Sequence, residues 1–488
     1  MELALIIIYG LFLSFIFLYS LVQLSLALAY VRSHRKNDDC EQIEYAEGEC
    51  PSVTIQLPVF NELYVVERLI ESVAKLDYPR DKFEIQVLDD SDDESFDVAA
   101  KKVKEIAALG INISHVKRPE RVGYKAGALA YGLTLTTSDF TAIFDADFIP
   151  QEDFLKQTMP FFRDEKVGVV QTRWEHLNKD YSLLTKLQAF GLDAHFTVEQ
   201  TGRNSQGHFI NFNGTAGVWR NACIEEAGGW QHDTITEDLD LSYRAQLKGW
   251  KFKYLEGVGS PAELPAEMNA LKNQQFRWTK GAAECAVKNL PKVLRQKGLS
   301  LGTKLHATFH LMNSFIFICV LFTALLSVPL LVVKHSVDEF DFLFNLASIF
   351  LLSFVILAFF YWVSQRNEKK GFGRFLLDFP MFLSMSMGLS LHNAIAVIEG
   401  YAGRKTPFIR TPKFAIEKQS GSWTDKKYRA LKTNPLTLLE GVLMLYFIGG
   451  VVYAFWTMEL GLLPFHIMLS LGYGYVFFYS IKHARVNG

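Results

Sequence analysis

Cysteine is scarce in this sequence, and the usual phosphate-binding fingerprints are missing. The 488 residues include five cysteines, scattered and without any C-x-x-C spacing, so neither a disulfide framework nor a zinc site is expected. The chain also has no G-x-G-x-x-G and no G-x-x-x-x-G-K-S/T segment. A dinucleotide-binding loop of the common kind and a P-loop are therefore excluded.

An excess of charge of either sign is absent as well. Lys and Arg total 50 and Asp and Glu total 52, so the net charge gives no sign of a nucleic acid partner, and none is expected. Apolar residues are abundant but uneven, because they concentrate before position 32 and after position 305. Long apolar runs of this kind are typical of an integral membrane protein, which makes the lipid bilayer an expected partner.

The first apolar run, Leu3–Tyr30, is long enough to cross a bilayer. A signal peptide is the alternative, because the end of the run loosely resembles a cleavage site. However, the only charge before the run is Glu2, and the run is too long for the apolar core of a signal peptide. We therefore expect a retained transmembrane helix.

Further apolar runs long enough to span lie at residues 305–333, 342–363, 436–456 and 462–481. Another run, Phe375–Ile398, lies between two basic loops, which the positive-inside rule places together in the cytoplasm. This run should therefore re-enter the membrane or lie in its interface. The prediction is five spans, with the N-terminus outside and the C-terminus inside. A six-span alternative requires the basic loop at 399–436 to lie outside.

Between about residues 50 and 285, short apolar strands alternate with helical patterns. Strands are predicted at VTIQLPV, EIQVLDD, INISHV, FTAIFDAD and VGVVQTRW, and helices over 62–76, over 94–109 and from about Tyr124. This alternation predicts a mainly parallel α/β sheet, in which ligands bind beyond the carboxyl ends of the strands. By the predicted topology, the domain is cytoplasmic.

Two pairs of acids follow predicted strands. Asp89 and Asp90 end the second strand, and Asp145 and Asp147 end the fourth. Acids at i and i+2 leaving a strand can converge on one cation, and Mg²⁺ usually binds through one or two carboxylates plus substrate phosphates. An ordinary acidic turn is the alternative when D-x-D is taken alone. The second acid pair favours a site for Mg²⁺ or Mn²⁺.

Two more motifs follow: Glu237–Asp238 before a predicted helix, and a Q-x-x-R-W pattern at Gln274, Arg277 and Trp278. With these, the sequence resembles the family 2 glycosyltransferases, specifically the processive cellulose-synthase-like enzymes. The matching segments, in chain order, are LPVFNE, VLDDSDD, HVKRPERVGYKAGAL, FDAD, VVQTRWEHLN, NFNGTAGVWR, TITEDLDLSYR, QQFRW and PFIRTPKF. The last segment, followed by paired spans, is most similar to the mannan- and glucan-making branch.

The resemblance implies a GT-A fold, an α/β catalytic domain inserted between transmembrane helices, with interfacial helices in the membrane domain. It implies an inverting transfer of a hexose from a nucleotide sugar, UDP-glucose or GDP-mannose, to a growing β-glycan that is moved across the membrane. That membrane would be the plasma or inner membrane, or the Golgi. An accessory export protein is a further partner that the resemblance leaves open.

The resemblance also implies a role for each matching residue. The expected catalytic residues are Asp238, as general base, and Glu237 beside it. The expected metal ligands are Asp147 and Asp145. The residues expected to bind the nucleotide donor are Asp89, Asp90, Glu62, Lys125, Asp145, Gln274, Arg277, Arg410 and Lys413. The residues expected to bind the acceptor are Trp278, Asn213 and Gly214.

Elementary chemistry agrees with these roles, although each has a structural alternative. A carboxylate can take the proton of an acceptor hydroxyl, and the Arg277 guanidinium matches diphosphate oxygens. The acids at 237–238 would also suit the first turn of a helix capped by Thr236, and Trp278 would also suit a membrane interface. The alternative for Lys125 is an ordinary lysine exposed to solvent. Asn213 stands where cellulose synthases carry a cysteine, which leaves its acceptor contact open.

The predicted domains follow from the spans and the motifs. They are an N-terminal transmembrane helix at 1–31, a GT-A catalytic domain at 50–260, interfacial amphipathic helices with Q-x-x-R-W at 261–304, two transmembrane helices at 305–364, an interfacial or re-entrant segment with a gating-type loop at 365–436, and two transmembrane helices at 437–488.

Two other functions compete with a processive polysaccharide synthase. A non-processive transferase that moves one sugar onto a lipid carrier would share D-x-D, but such enzymes usually lack Q-x-x-R-W. A transporter or channel with a regulatory domain would leave the ordered acids at strand ends unexplained. The motifs therefore favour the synthase.

Overall fold

A computed structural model of the chain describes residues 2–35, 45, 48–336, 341–366, 371–407, 409–419, 421–429 and 435–485. The strands are β1 (Val53–Val59), β2 (Phe83–Asp89), β3 (Ile113–Val116), β4 (Phe140–Ile143), β5 (Val167–His176), β6 (Gly217–Arg220) and β7 (Lys251–Ala262). The α-helices are α1 (Glu2–Arg35), α2 (Val66–Ala74), α3 (Ser95–Ala108), α4 (Tyr124–Leu133), α5 (Phe154–Thr158), α6 (Leu183–Ala194), α7 (Gln200–Ser205), α8 (Asn221–Glu226), α9 (Glu237–Leu247), α10 (Met268–Arg295), α11 (Leu301–Leu311), α12 (Phe315–Ser336), α13 (Asp341–Ala347), α14 (Leu351–Gln365), α15 (Phe372–Gly388), α16 (Ser390–Tyr401), α17 (Leu436–Thr457) and α18 (Leu463–Arg485).

The seven strands form one sheet in the order β3-β2-β1-β4-β6-β5-β7. Neighbouring strands are parallel except where β6 pairs antiparallel with β4 and with β5. The predicted mainly parallel α/β sheet is confirmed. Its strands are apolar along their length because one cluster of buried side chains covers each face, with Ile55 and Val87 on one side and Leu88 and Ile143 on the other.

Most predicted strands and helices agree with the structure to within a few residues, and the differences have local causes. The first predicted strand coincides with β1, whereas β4 ends at Ile143 because the chain turns at the next residues. Helix α2 begins at Val66 instead of residue 62, after Asn61 has adopted a left-handed backbone conformation (φ 55°). The Glu237–Asp238 pair lies in the first turn of α9 instead of before it.

Five helical segments in the described part of the chain are long and apolar enough to cross a membrane. They are Glu2–His34, Phe315–Ser336, Ser348–Gln365, Leu436–Thr457 and Leu460–Arg485. Helices α15 and α16, which contain the disputed run, meet at a 50° bend that suits a broken span or a re-entrant loop. These segments match the five predicted spans in number, and counting the bent pair as one broken span gives the six of the alternative. Residues 337–340, 367–370 and 430–434 of the predicted loops lie outside the described residues, and the side on which each loop lies stays a prediction.

The candidate membrane spans pack directly against the α/β domain. Gly202 of α7 lies so close to α1 that an added Cβ would stand 2.7 Å from the carbonyl oxygen of Leu26. Helix α10, which carries Q-x-x-R-W, packs on α16 and α18. Helix α10 is also joined to α17, where the Lys272 ammonium and the Glu440 carboxylate form a buried ion pair, 2.6 Å from Nζ to Oε2. These contacts hold α10 between the sheet and the membrane helices.

Candidate active site

One cavity collects nearly all the residues predicted to carry chemistry. It lies beyond the carboxyl ends of β1, β2 and β4, where the loops after these strands face α9 and α10. The predicted site residues that line it are Glu62, Asp90, Lys125, Asp145, Asp147, Asn213, Gly214, Glu237, Asp238, Gln274, Arg277, Trp278, Arg410 and Lys413. Segments from residue 62 to residue 413 thus meet at one place, which the parallel sheet topology predicts.

The two acids of the D-x-D turn each bind a lysine. The Lys125 ammonium donates to Asp145 Oδ1 at 2.5 Å and to the carbonyl oxygen of Gly214 at 2.9 Å. Burial opposes the charge of Lys125, but the carboxylates of Asp145 and Glu237 outweigh burial and raise the pKa of this lysine. Lys413 donates to Asp147 Oδ2 at 2.6 Å, and the same oxygen accepts the backbone N–H of Glu263 at 3.1 Å.

Glu237 and Asp238 form a buried acid pair. Burial raises the pKa of both carboxyl groups, and for Glu237 the neighbouring Asp238 charge raises it further. Thr236 precedes the helix but makes no side-chain cap, since its hydroxyl contacts Cys285 instead. Gly214 faces Asp238 closely: an added Cβ would lie 2.9 Å from Asp238 Oδ2. A group with a raised pKa in a cavity is a candidate acid or base.

Helix α10 brings Gln274, Arg277 and Trp278 to the opposite wall. Arg277 Nη2 donates to the Thr411 hydroxyl at 2.6 Å, and burial lowers the pKa of this guanidinium to about 10, so it remains a cation at neutral pH. The Trp278 ring lies 6.4 Å from the Trp174 ring between centroids. This wall therefore combines a buried cation with flat apolar surfaces.

The described part of PFIRTPKF lines the cavity beside the D-x-D turn with Arg410, Thr411 and Lys413. Arg410 Nη1 lies 2.9 Å from Glu62 Oε2 and donates to the carbonyl oxygens of Phe60 and Asn61. Burial raises the pKa of Glu62 to about 8, although the Arg410 charge opposes the rise. The two basic residues predicted in this loop, Arg410 and Lys413, thus both reach the site.

The second acid pair divides into two environments. Asp90 lines the cavity and accepts two hydrogen bonds from Arg118, at 2.7 and 2.5 Å. Asp89 does not line this cavity: it accepts from the Ser91 backbone N–H at 2.8 Å and lies 2.8 Å from His115 Nε2. Asp89 would therefore influence a bound nucleotide only indirectly, by positioning Ser91 and His115.

The carboxylates of the D-x-D turn fit a divalent cation by their chemistry. Among the described residues no three His, Cys, Asp or Glu side chains are grouped to hold an ion by themselves. This agrees with a Mg²⁺- or Mn²⁺-type site in which two carboxylates, here Asp145 and Asp147, supply only part of the oxygen ligands and substrate phosphates supply others. Lys125 and Lys413 would have to release an oxygen to such an ion.

Comparison with known proteins identifies the domain. The model of a family described as "Glycosyltransferase like family 2" matches residues 51–281, which include the sheet, the acid pairs and Q-x-x-R-W. Residues 51–281 form a family 2 glycosyltransferase domain. The resemblance to the cellulose-synthase-like enzymes is confirmed by curated relatives at 40–45% identity.

Among these relatives are two plant proteins. "Probable glucomannan 4-beta-mannosyltransferase 4" of Oryza sativa subsp. japonica is 45% identical over 273 residues, which are 55% of this chain and 49% of that protein. "Glucomannan 4-beta-mannosyltransferase 9" of Arabidopsis thaliana is 41% identical over 304 residues, 59% of this chain and 57% of that protein. The chain thus spans about half the length of the curated relatives it matches.

A solved structure shows that the glycosyltransferase fold is of the GT-A type. It is the mannosyltransferase PcManGT from Pyrobaculum calidifontis, in complex with GDP-Man and Mn²⁺, which aligns with a TM-score of 0.51. The alignment covers 83% of this chain and 100% of that chain at 17% identity. The predicted GT-A fold is therefore confirmed.

Sequence reasoning missed several residues that line the glycosyltransferase cavity. Arg121 lies over the Phe60 ring, 3.3 Å from its centroid, at the end where Asp90 lies. Trp174 and His176 line the cavity from the end of β5. The segment VVQTRWEHLN matches the family in sequence, but the spacing of its residues does not show which side chains face the site.

Proposed function

We propose that the chain is a processive, inverting β-glycosyltransferase that polymerises a hexose from a nucleotide sugar into a β-glycan and moves the polymer across the membrane. The observation that carries the proposal is the single cavity in which Asp238, the D-x-D acids and Q-x-x-R-W meet. The relatives are named glucomannan 4-β-mannosyltransferases, which supports GDP-mannose as the donor to test first and UDP-glucose as the second.

The proposed reaction is a single displacement. Asp238 takes the proton of an acceptor hydroxyl, whose oxygen attacks the anomeric carbon of the donor sugar as the bond from that carbon to the diphosphate breaks. The nucleoside diphosphate leaves with the bonding electrons, and the anomeric centre inverts. The raised pKa of Asp238 suits a proton acceptor, provided that the group is deprotonated at the working pH.

The leaving diphosphate would be stabilised by cations on both sides. Arg277 offers a guanidinium that matches phosphate oxygens, and Lys125 and Lys413 offer ammonium groups at the D-x-D turn. A divalent cation held by Asp145 and Asp147 would add Lewis-acid stabilisation of the same group. Trp278 would support the acceptor sugar with its apolar face.

The location of the reaction is also part of the proposal. The catalytic domain would face the cytoplasm, where nucleotide sugars are available, and the spans would form the route for the polymer. The candidate spans and the bent pair α15–α16 support a multi-pass membrane protein. The proposed membrane is the plasma, inner or Golgi membrane. The basic loops on either side of that pair support the cytoplasmic side.

The test is a transfer assay with the full chain in lipid nanodiscs. Radiolabelled GDP-mannose, UDP-glucose and other nucleotide sugars are supplied singly and in pairs, with Mg²⁺ or Mn²⁺, and the products are digested with linkage-specific glycanases. We expect a labelled polymer that endo-β-1,4-mannanase digests. A single labelled sugar that extracts with lipid would instead support the non-processive lipid-carrier transferase and overturn the processive proposal.

A further inference from the structure

Three residues that line the cavity each carry a buried nitrogen atom without a hydrogen-bond partner among the described residues. The atoms are the indole Nε1 of Trp174, the amide Nδ2 of Asn213 and the imidazole Nε2 of His176. Buried donors are rarely left without partners, because each has lost its hydrogen bonds to water without replacing them. Because all three residues line the cavity, a ligand that enters it can supply the missing partners after small side-chain rotations.

This part of the cavity wall is held rigidly. Asn213 is fixed at both ends: its backbone N–H donates to Gln171 Oε1 at 2.9 Å, and its side-chain oxygen accepts from Gln200 at 3.0 Å. His176 Nε2 lies 3.3 Å from Asp193 Oδ1, close enough for an ion pair but not aligned as a hydrogen bond. The two hydrogen bonds of Asn213 therefore fix the orientation of its side-chain amide, including the unpartnered Nδ2.

The position of the wall relates it to the acceptor. Trp174 meets Trp278 at an interplanar angle of 57°, so the two indoles form an apolar corner. Asn213 precedes Gly214, which packs against the Asp238 carboxylate. The wall thus runs from the predicted acceptor tryptophan to the predicted base, and the proton that Asp238 takes belongs to the acceptor.

We infer that Trp174, His176 and Asn213 form a hydroxyl-recognising wall that positions the terminal sugar of the acceptor chain. Sugar hydroxyl oxygens accept hydrogen bonds from the unpartnered donors, while the indole corner covers the apolar face of the ring. The inference rests on the proposed function, since it assumes an acceptor made of β-linked hexoses. Trp174 and His176 are its new elements.

Other tryptophans provide a matched control. Trp230 also has a buried indole nitrogen without a partner in the described part of the chain, but it packs inside the domain and does not line the cavity. Trp174→Phe and Trp230→Phe therefore remove the same N–H group and keep an aromatic ring. His176→Leu is a second test of the wall should Trp174→Phe fold poorly.

The experiment measures binding and transfer separately. Isothermal titration calorimetry follows β-1,4-linked mannohexaose and cellohexaose, without donor, on the full chain in nanodiscs, and GDP and UDP are titrated in parallel. For Trp174→Phe and His176→Leu we expect the oligosaccharide Kd to rise about three- to tenfold, as for the loss of one hydrogen bond, with the nucleotide Kd unchanged. Trp230→Phe should match the wild type.

Each outcome distinguishes the two proposals. If Trp174→Phe and His176→Leu bind the oligosaccharides like Trp230→Phe, or if they weaken nucleotide binding instead, the acceptor wall is wrong. If the wild type binds neither hexaose, the inference is overturned as well. If the wild type binds a hexaose but transfers no sugar from any nucleotide donor, the proposed function fails while the oligosaccharide-binding wall stands.

Discussion

Lys413 and Asp147 are joined across 266 residues of chain by a salt bridge of 2.6 Å between Nζ and Oδ2. The lysine comes from the loop over the cavity, and the acid is the predicted metal ligand. A charged amine thus holds an oxygen that a divalent cation would use.

Removing the Lys413 ammonium should tighten metal binding in the absence of nucleotide. Lys413→Met frees Asp147 Oδ2, and we expect Mn²⁺ affinity to rise roughly tenfold, the scale of one charge-assisted hydrogen bond. The measurement is free Mn²⁺ by electron paramagnetic resonance during titration. Lys418→Met, an exposed lysine of the same loop, is the control. Equal Mn²⁺ affinity in both variants would contradict the prediction.

Neutralising Asp238 should stop the chemistry and leave the donor bound. For Asp238→Asn we expect the transfer rate to fall by about 10²- to 10⁴-fold, the usual contribution of a general base, with nucleotide-sugar Kd nearly unchanged. Asp233→Asn, at an exposed acid nearby, should retain the wild-type rate. Single-turnover transfer and calorimetry together check both parts. A transporter without enzymatic activity would be indifferent to either change.

The pH profile of transfer should carry the raised pKa of Asp238. A base must be deprotonated, so kcat/KM should fall as pH decreases through this pKa, at a higher pH than for an ordinary aspartate. Lys125 opposes the rise, and Lys125→Met should move the acid limb to still higher pH. Profiles of both proteins under saturating metal check the shift. If the acid limb of the Lys125→Met profile stays at the wild-type pH, the Lys125 charge does not influence the pKa of Asp238.

A methyl group on Gly214 should crowd the base. Gly214 has φ +81°, and an added Cβ would lie 2.9 Å from Asp238 Oδ2. Gly207 has φ +68° but open space around its Cα, so Gly207→Ala carries a similar backbone cost of about 1 kcal/mol without the contact. We expect comparable thermal stability for the two variants and a large loss of transfer only for Gly214→Ala. Equal activities would argue against close approach at this position.

Breaking the Lys272–Glu440 pair should lower the free energy of unfolding strongly, whereas replacing both partners by apolar residues should lower it little. Removing one partner leaves a buried charge, so Lys272→Met should destabilise the chain by about 3–5 kcal/mol, and Lys272→Met with Glu440→Leu should recover most of the loss. The more exposed pair Lys334–Glu459 should cost about 1 kcal/mol or less. Thermal unfolding of the variants in detergent ranks their stabilities. A double variant no better than the single would contradict the prediction.

Local sequence patterns determined much of this protein. Alternation of apolar strands and helices predicted the mainly parallel sheet, because strands buried on both faces must be apolar. Length and hydropathy marked the apolar runs that can span, since the bilayer sets a minimum apolar length, and the basic loops around residues 375–398 reduced the predicted spans to five. All the site residues that the motifs named meet in the cavity except Asp89.

Tertiary structure alone decided which of these residues touch. Spacing cannot show that Lys413 reaches Asp147 or that Arg410 reaches Glu62, because their segments are hundreds of residues apart and only the closed loop brings the charges together. Trp174 and His176 had no pattern to mark them, since alternation along β5 does not tell which loops face the strand's end. The sequence shows which acids and aromatic residues are available for chemistry. Only the fold determines which of them form pairs, because the energy of an ion pair depends on distance and burial.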